Sequence, residues 1–254
     1  MSDLSRKCRL SVVNFITTAA LVCGCVSIIA AARENLYLAA QLIMAGMILD
    51  GLDGTFARLL KAESPFGAEL DTFVDITCFG VAPALLVYFA SLHTCGVWGI
   101  ILTTAIIMSG AMRLARFKVV DTDHGMSGYT GMPITANAGL LALVVLLDQS
   151  PIWENPVAAW QVRPSWFNIT EGPFAWAFWI NCAIGLLLQV STFRYGKLTA
   201  HPIGQAIGVV MFLGLFITPT TAFVATVFWL LPLGLYFQYL QPFVTAYCSK
   251  RTKQ

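Results

Sequence analysis

Long apolar stretches separated by short polar segments make up most of the chain and predict helices that cross a membrane. A helix needs about 20 consecutive, mostly apolar residues to cross a bilayer. Eight stretches come near that length, at about 11–31, 36–60, 71–92, 97–117, 132–148, 173–192, 203–218 and 221–247. An even number of crossings places both termini on the same side. We therefore predict an all-α, polytopic membrane helix bundle in which residues 1–254 form a single domain.

The first stretch superficially resembles a secretory signal peptide, because Arg6, Lys7 and Arg9 precede it and three alanines end it. The apolar core of such a signal has about 7–15 residues, whereas the stretch 11–31 has 21. We therefore interpret it as a retained first membrane span.

The composition supports a membrane protein and excludes several other classes. Hydrophobic residues make up 57% of the chain and charged residues 11%, with a mean hydropathy of +0.74, whereas soluble domains carry about 25% charged residues. A net charge of +2 is too small to indicate nucleic-acid binding. The seven cysteines are scattered and form no CxxC pair, so we predict no disulfide framework and no zinc site.

The basic residues indicate which side of the membrane the termini occupy. In the eight-helix layout, Arg33 and Arg163 fall on the side opposite the termini. The other 13 of the 15 fall on the side of the termini: Arg6, Lys7, Arg9, Arg58, Lys61, Arg113, Arg116, Lys118, Arg194, Lys197, Lys250, Arg251 and Lys253. Because Lys and Arg are enriched in cytoplasmic loops, we predict that both termini face the cytoplasm from the cell membrane.

Four aspartates lie close together in sequence, at the end of the second predicted span and the start of the third: Asp50, Asp53, Asp71 and Asp75. Ionisable residues at membrane depth are costly and usually mark a functional site. The first two are three residues apart and the last two are four apart, so each pair shares one face of a helix. A turn at Ser64-Pro65 would make the two helices antiparallel. Oxygen ligands without histidine or cysteine favour Mg²⁺ or Mn²⁺, which predicts a metal site at the cytoplasmic surface.

The spacing of these residues resembles the signature of a known family. The pattern D-x2-D-G-x2-A-R-x8-G-x3-D-x3-D is similar to that of the CDP-alcohol phosphatidyltransferases. Its eight fixed positions are filled here by Asp50, Asp53, Gly54, Ala57, Arg58, Gly67, Asp71 and Asp75. The resemblance implies a site that holds two divalent cations, Mg²⁺ or Mn²⁺, against the diphosphate of a CDP-linked lipid.

The resemblance also implies a role for each of these residues. Asp50, Asp53 and Asp71 would mainly bind the cations, and Asp75 would take the proton from an attacking alcohol while also being a candidate metal ligand. The residues that would contact the CDP-linked lipid are Asn14, Thr17, Gly54, Ala57, Arg58 and Gly67.

Further segments resemble the bacterial and archaeal phosphatidylserine synthases of that family. They are N-F-I-T at 14–17, F-G-V-A-P-A at 79–84, R-L-A-R-F at 113–117, G-M-P at 131–133 and S-T-F-R-Y at 191–195. Gly196, Cys78, Thr135 and Asn137 depart from the pattern of those synthases. The resemblance implies CDP-diacylglycerol and L-serine as substrates, CMP as a product, and a homodimer.

The sequence is compatible with more than one acceptor alcohol. The carboxylate of serine needs a fixed cation, and the candidates are Arg113, Arg116, Lys118, Arg194 and Lys197. Among these, the resemblance favours Arg116 and Arg194. These residues would serve glycerol 3-phosphate as well, and they also fit the ordinary excess of cytoplasmic positive charge. Inositol remains open, and an aromatic cage for choline could form from Tyr129, Phe193 and Tyr195. An ion-coupled transporter is the alternative outside the enzymes, but transporters usually bind near the bilayer midplane between repeats, and the chain contains no internal repeat.

Overall fold

A computed structural model describes residues 3–120, 129–154, 163–195 and 212–245. The described chain is almost entirely helical, and seven of its helices are long and apolar enough to cross a membrane. These candidate spans are Cys8–Ala32, Leu36–Leu60, Pro65–Ala90, Val97–Val119, Ile134–Trp153, Gly172–Val190 and Pro219–Thr245. The prediction of a polytopic helix bundle is confirmed. The predicted stretch 203–218 lies mostly outside the described residues, so the eighth crossing remains a prediction.

The helices are α1 (Asp3–Ala32), α2 (Leu36–Leu60), α3 (Pro65–Asp75), α4 (Ala82–Ala90), α5 (Val97–Val120), α6 (Ile134–Asp148), α7 (Gly172–Val190), α8 (Pro219–Ala225) and α9 (Leu231–Leu235). The strands are β1 (Tyr129–Thr130) and β2 (Arg194–Tyr195), which pair antiparallel. Short 3₁₀ turns lie at Leu92–Cys95 and Pro151–Trp153.

The connection between α2 and α3 reverses the chain and places the aspartates. Lys61 ends α2 in the left-handed conformation, with φ of 49°. Ser64 then caps α3, because its hydroxyl accepts a hydrogen bond from the Gly67 N–H at 3.0 Å, and Pro65 occupies the first turn, where its missing N–H costs nothing. The third span therefore begins at Pro65 and not near 71 as predicted, so Asp71 lies within the helix and not at its start.

Two spans contain π-helical turns that periodicity could not predict. One turn, Ile76–Val81, directly follows Asp75 and joins α3 to α4. The last span contains two more, Thr226–Leu230 and Tyr236–Leu240, on either side of α9. Such turns often occur at functional sites because they rotate the following side chains out of the regular helical register.

Helix α6 lies at the centre of the bundle, and all of its residues from Asn137 to Asp148 are buried. At its end, Asp148 pairs with Arg163. Nearby, the Ser91 hydroxyl donates to the Ile169 carbonyl and accepts a hydrogen bond from Trp179 Nε1 at 2.7 Å. These contacts fix the end of α6 that is remote from Pro133, and α2 and the last span pack along the helix.

Candidate active site

Aspartates from α2 and α3 direct their carboxylates to one point. Asp50, Asp53 and Asp71 each offer a carboxylate oxygen, and these oxygens all lie within 4.8 Å of one another. The spacing of three on α2 directs Asp50 and Asp53 to one face, and the reversal at Ser64 brings Asp71 to that face. The structure thus brings together three of the four predicted metal ligands.

The chemistry of this triad (Asp50, Asp53 and Asp71) fits a hard divalent cation. Asp53 is only 5% exposed, and its Oδ2 atom is buried without a hydrogen-bond donor among the described residues. The Thr17 hydroxyl lies beside the same carboxylate. A buried carboxylate oxygen that lacks a donor is costly unless a cation satisfies it, and three clustered carboxylates form the oxygen ligand set that such a cation prefers.

Asp75 lies outside the triad but lines the same cavity, which has a volume of about 750 Å³. The polar end of this main cavity contains the four aspartates together with Arg58 and Arg113. Arg113 is buried, 7% exposed, and close enough to Asp75 for their charges to interact. The remaining wall is mostly apolar: Met44, Met47, Leu114, Phe117, Ile134, Ala136, Leu140, Leu143, Phe212, Leu230, Leu233 and Phe237.

A second cavity of about 180 Å³ opens on the other side of the triad. Five of the six residues predicted to contact the CDP-linked lipid line it: Asn14, Thr17, Gly54, Ala57 and Gly67. The sixth, Arg58, lines the main cavity, and Asp53, Gly54 and Asp71 line both cavities.

Gly67 shows why the second cavity requires small residues. A Cβ atom at this position would lie 3.1 Å from Ser64 Oγ and 3.6 Å from Asn14 Oδ1. A Cβ atom here would therefore crowd the cap of α3 and come into van der Waals contact with Asn14, which is predicted to contact the CDP-linked lipid.

The basic residues predicted to bind the acceptor do not all converge. Arg113 enters the main cavity, where its guanidinium lies 5.9 Å from the centre of the Phe117 ring. Lys118 pairs with Glu69 at 2.6 Å on the surface, and Arg194 is exposed in β2. Lys197 lies outside the described residues.

Arg116 binds the protein's own backbone. Its Nη1 atom donates to the Val190 carbonyl at 2.7 Å. Its Nη2 atom lies within hydrogen-bonding distance of three more carbonyls, those of Thr130 at 2.9 Å, Gln189 at 3.2 Å and Ser191 at 2.9 Å. Arg116 is not among the described residues that line the main or the second cavity.

The described aromatic residues do not assemble a cage for choline. Tyr195 is fully buried against Met132 and Phe237, its hydroxyl donates to the Gln238 carbonyl at 3.4 Å, and burial raises the pKa of Tyr195 to about 12. Phe193 is 54% exposed. Tyr129 is described only through its backbone pairing with Tyr195.

The structure adds residues to the site that sequence reasoning missed. Leu230, Leu233, Gly234 and Phe237 of the last span close one wall of the main cavity. They carry no charge and form no motif, so only the packing of the last span against α6 reveals them. Pro133, which immediately precedes α6, lines the same cavity, and in the sequence it stands out only as part of G-M-P.

The fold and site together define a polytopic membrane protein with an acidic centre between two cavities. The family model described as "CDP-alcohol phosphatidyltransferase" matches residues 10–187. The chain belongs to the CDP-alcohol phosphatidyltransferase family.

Several curated relatives carry the name CDP-diacylglycerol–serine O-phosphatidyltransferase. The protein of Helicobacter pylori (strain J99 / ATCC 700824) is 39% identical over 135 residues, which are 53% of this chain and 57% of the relative. That of Bacillus subtilis (strain 168) is 34% identical over 145 residues, 57% of this chain and 77% of the relative. That of Methanocaldococcus jannaschii is 36% identical over 136 residues, 52% of this chain and 59% of the relative. The chain therefore spans little more than half the length of the Helicobacter relative.

Proposed function

We propose that the protein transfers the phosphatidyl group of CDP-diacylglycerol to the hydroxyl of L-serine, forming phosphatidylserine and releasing CMP. The observation that carries the proposal is the meeting of two cavities at Asp53, Gly54 and Asp71. One cavity is small and lined by the residues expected to contact the nucleotide, and the other is large and mostly apolar, as a lipid requires. The names of the relatives support serine as the acceptor.

Asp50, Asp53 and Asp71 would hold two divalent cations, Mg²⁺ or Mn²⁺, and Asp75 is a further candidate ligand. When bound, the cations would neutralise the diphosphate and stabilise the departing CMP. The buried Oδ2 atom of Asp53, which accepts no hydrogen bond from the described residues, supports this assignment.

The remaining steps fall to the side chains of the main cavity. Asp75 takes the proton from the serine hydroxyl. At the same time the serine oxygen bonds to the lipid-proximal phosphorus, and the bond from that phosphorus to the CMP oxygen breaks. Arg113 binds the carboxylate of serine, because a buried guanidinium offers paired donors to a carboxylate. The burial of Arg113 in the cavity wall and its electrostatic interaction with Asp75 support this role.

We further propose that residues 1–254 form one domain in the cell membrane with the site facing the cytoplasm. The excess of basic residues on the predicted cytoplasmic side supports this orientation. A lipid could then enter from the bilayer while serine enters from water. The homodimer implied by the family resemblance remains a prediction.

An acceptor panel tests the proposal. Purified protein in lipid nanodiscs is incubated with CDP-diacylglycerol and Mn²⁺ or Mg²⁺, and CMP and lipid products are measured separately with serine, glycerol 3-phosphate, inositol or choline. We expect CMP and phosphatidylserine in equal amounts with serine and little product with the other alcohols. Preferential turnover of another alcohol would identify that alcohol as the acceptor instead of serine. The absence of CMP release with every acceptor would refute phosphatidyl transfer.

A further inference from the structure

Arg116 lies at a junction of three chain segments, which are α5, β1 and the end of α7. From α5 it reaches the carbonyls of Thr130 in β1 and of Gln189, Val190 and Ser191 at the end of α7. The last carbonyls of a helix have no partner within it, so the guanidinium supplies donors that the end of α7 lacks. We call this arrangement the arginine junction: Arg116 with the carbonyls of Thr130, Gln189, Val190 and Ser191.

Gly131 shows how closely the backbone packs at the arginine junction. Its φ of +77° is one that other residues rarely adopt, and a Cβ atom here would collide with the Gln189 carbonyl and with the Arg116 guanidinium. The Gly131 N–H donates to the Phe193 carbonyl at 2.8 Å, and the Met132 N–H donates to the Leu188 carbonyl at 3.0 Å. The turn before α6 is therefore held against the end of α7 on both sides.

The arginine junction connects directly to the main cavity. Pro133 follows the turn at once, and the residues from Pro133 to Ala136 line the cavity. On the other strand, Tyr195 packs against Met132 and Phe237, and Phe237 lines the cavity from the last span. A shift of the junction would move two walls of the main cavity.

Arg113 and Arg116 are three residues apart on α5 but face different surroundings. Arg113 lines the main cavity, whereas the guanidinium of Arg116 is surrounded by backbone carbonyls. Lysine could not replace Arg116, because an ammonium group lacks the planar fork that reaches several acceptors at once.

We propose that Arg116 is a positioning residue: through the arginine junction it fixes the start of α6 and Phe237, and thereby the acceptor side of the main cavity. It does not bind the acceptor itself. The inference rests on the proposed function, which supplies the reaction that the cavity serves.

Hydrogen exchange without substrate tests the positioning role independently of activity. In Arg116→Gln and Arg116→Lys, the Gly131 and Met132 amides should exchange about tenfold faster or more, the effect of losing one charge-assisted hydrogen bond. Arg113→Gln is the matched control, since it removes a guanidinium from the same helix, and it should leave these amides protected. Unchanged exchange in both Arg116 variants would overturn the proposal.

Kinetics separate positioning from direct binding. Serinol has the amine and hydroxyl of serine but no carboxylate. Because a displaced cavity wall affects both acceptors, Arg116→Lys should lower kcat/KM for serine and for serinol by the same factor, roughly ten- to a hundredfold. A loss confined to serine would mean that Arg116 binds the carboxylate and would overturn the proposal. If the wild-type protein used neither acceptor, the proposed function would fail, while the exchange result would still decide the role of Arg116.

Discussion

Replacing Asp53 with asparagine should stabilise the protein in the absence of divalent cations, although it removes a residue of the proposed active site. Asp53 is buried, and its carboxylate lies within 4.8 Å of oxygens from Asp50 and Asp71. Without a cation, carboxylates at this distance repel each other and are poorly solvated. Asparagine has nearly the same shape and removes the charge.

The magnitude follows from the separation. Two unit charges at 4.8 Å repel by about 3.5 kcal/mol at an effective dielectric constant of 20. Asp53 has two such neighbours, but closely spaced carboxyl groups are partly protonated when no cation is bound, and this protonation, together with side-chain rearrangement and water, reduces the repulsion. We therefore expect a net gain of about 1–3 kcal/mol, which for a chain of this size raises the melting temperature by roughly 3–10 °C.

The assay is thermal unfolding in nanodiscs, with a chelator or with saturating Mn²⁺. Wild-type protein should melt higher with Mn²⁺, because a cation at 100 times its Kd stabilises the folded state by about 2.7 kcal/mol. The Asp53→Asn protein should have a higher melting temperature than the wild type in the chelator, and Mn²⁺ should raise that temperature little further. Glu69→Gln is the matched control, since Glu69 lies on α3 but is exposed and outside the triad. A destabilised Asp53→Asn protein that keeps the full Mn²⁺ shift would refute the reasoning.

Three further substitutions should distinguish proton transfer, lipid binding in the second cavity and the structural role of the Asp148–Arg163 pair. Asp75→Asn should lower kcat by roughly 10²- to 10⁴-fold while keeping most of the Mn²⁺ shift in melting temperature, because the triad still offers three converging carboxylate oxygens. Gly67→Ala should raise the KM for CDP-diacylglycerol about tenfold or more, because the added methyl group narrows the second cavity, and it should also lower stability, because the methyl group would lie 3.1 Å from the capping Ser64 Oγ. Asp148→Ala should lower the free energy of unfolding by about 1–3 kcal/mol, measured by thermal unfolding, because Arg163 loses its partner. It should leave kcat/KM unchanged, because Asp148 lies at the end of α6 that is remote from Pro133.

Contradictory outcomes differ for each of these changes. Loss of the Mn²⁺ shift in Asp75→Asn would make Asp75 a cation ligand first. An unchanged KM for the lipid in Gly67→Ala would remove the second cavity from substrate binding. Reduced turnover by folded Asp148→Ala protein would mean that the far end of α6 influences the site.

The acidic centre could be predicted from sequence because its residues lie close together along the chain. The spacings within Asp50–Asp53 and Asp71–Asp75 define helix faces, and Ser64-Pro65 defines the reversal between them. The predicted third span began too late because hydropathy does not detect the cap at Ser64, which starts the helix in a polar segment.

The walls of the main cavity could not be predicted because they depend on contacts between distant segments. Leu230 and Phe237 come from a span without charged residues, and its π-helical turns change which side chains face α6. Arg113 and Arg116 belong to one R-L-A-R-F segment, and the resemblance favours Arg116 for the acceptor, whereas Arg113 lines the main cavity. Only the positions of the carbonyls at the end of α7 distinguish them.

The cation dependence of product formation tests the central claim most directly. CMP and phosphatidylserine are measured in one time course with CDP-diacylglycerol and serine, first in excess chelator and then after Mn²⁺ is added back. Binding of the cations by the triad predicts no product in chelator and equal amounts of CMP and phosphatidylserine after the addition, with Asp71→Asn inactive throughout. Product formation that continues in chelator, or that survives in Asp71→Asn, would contradict the account.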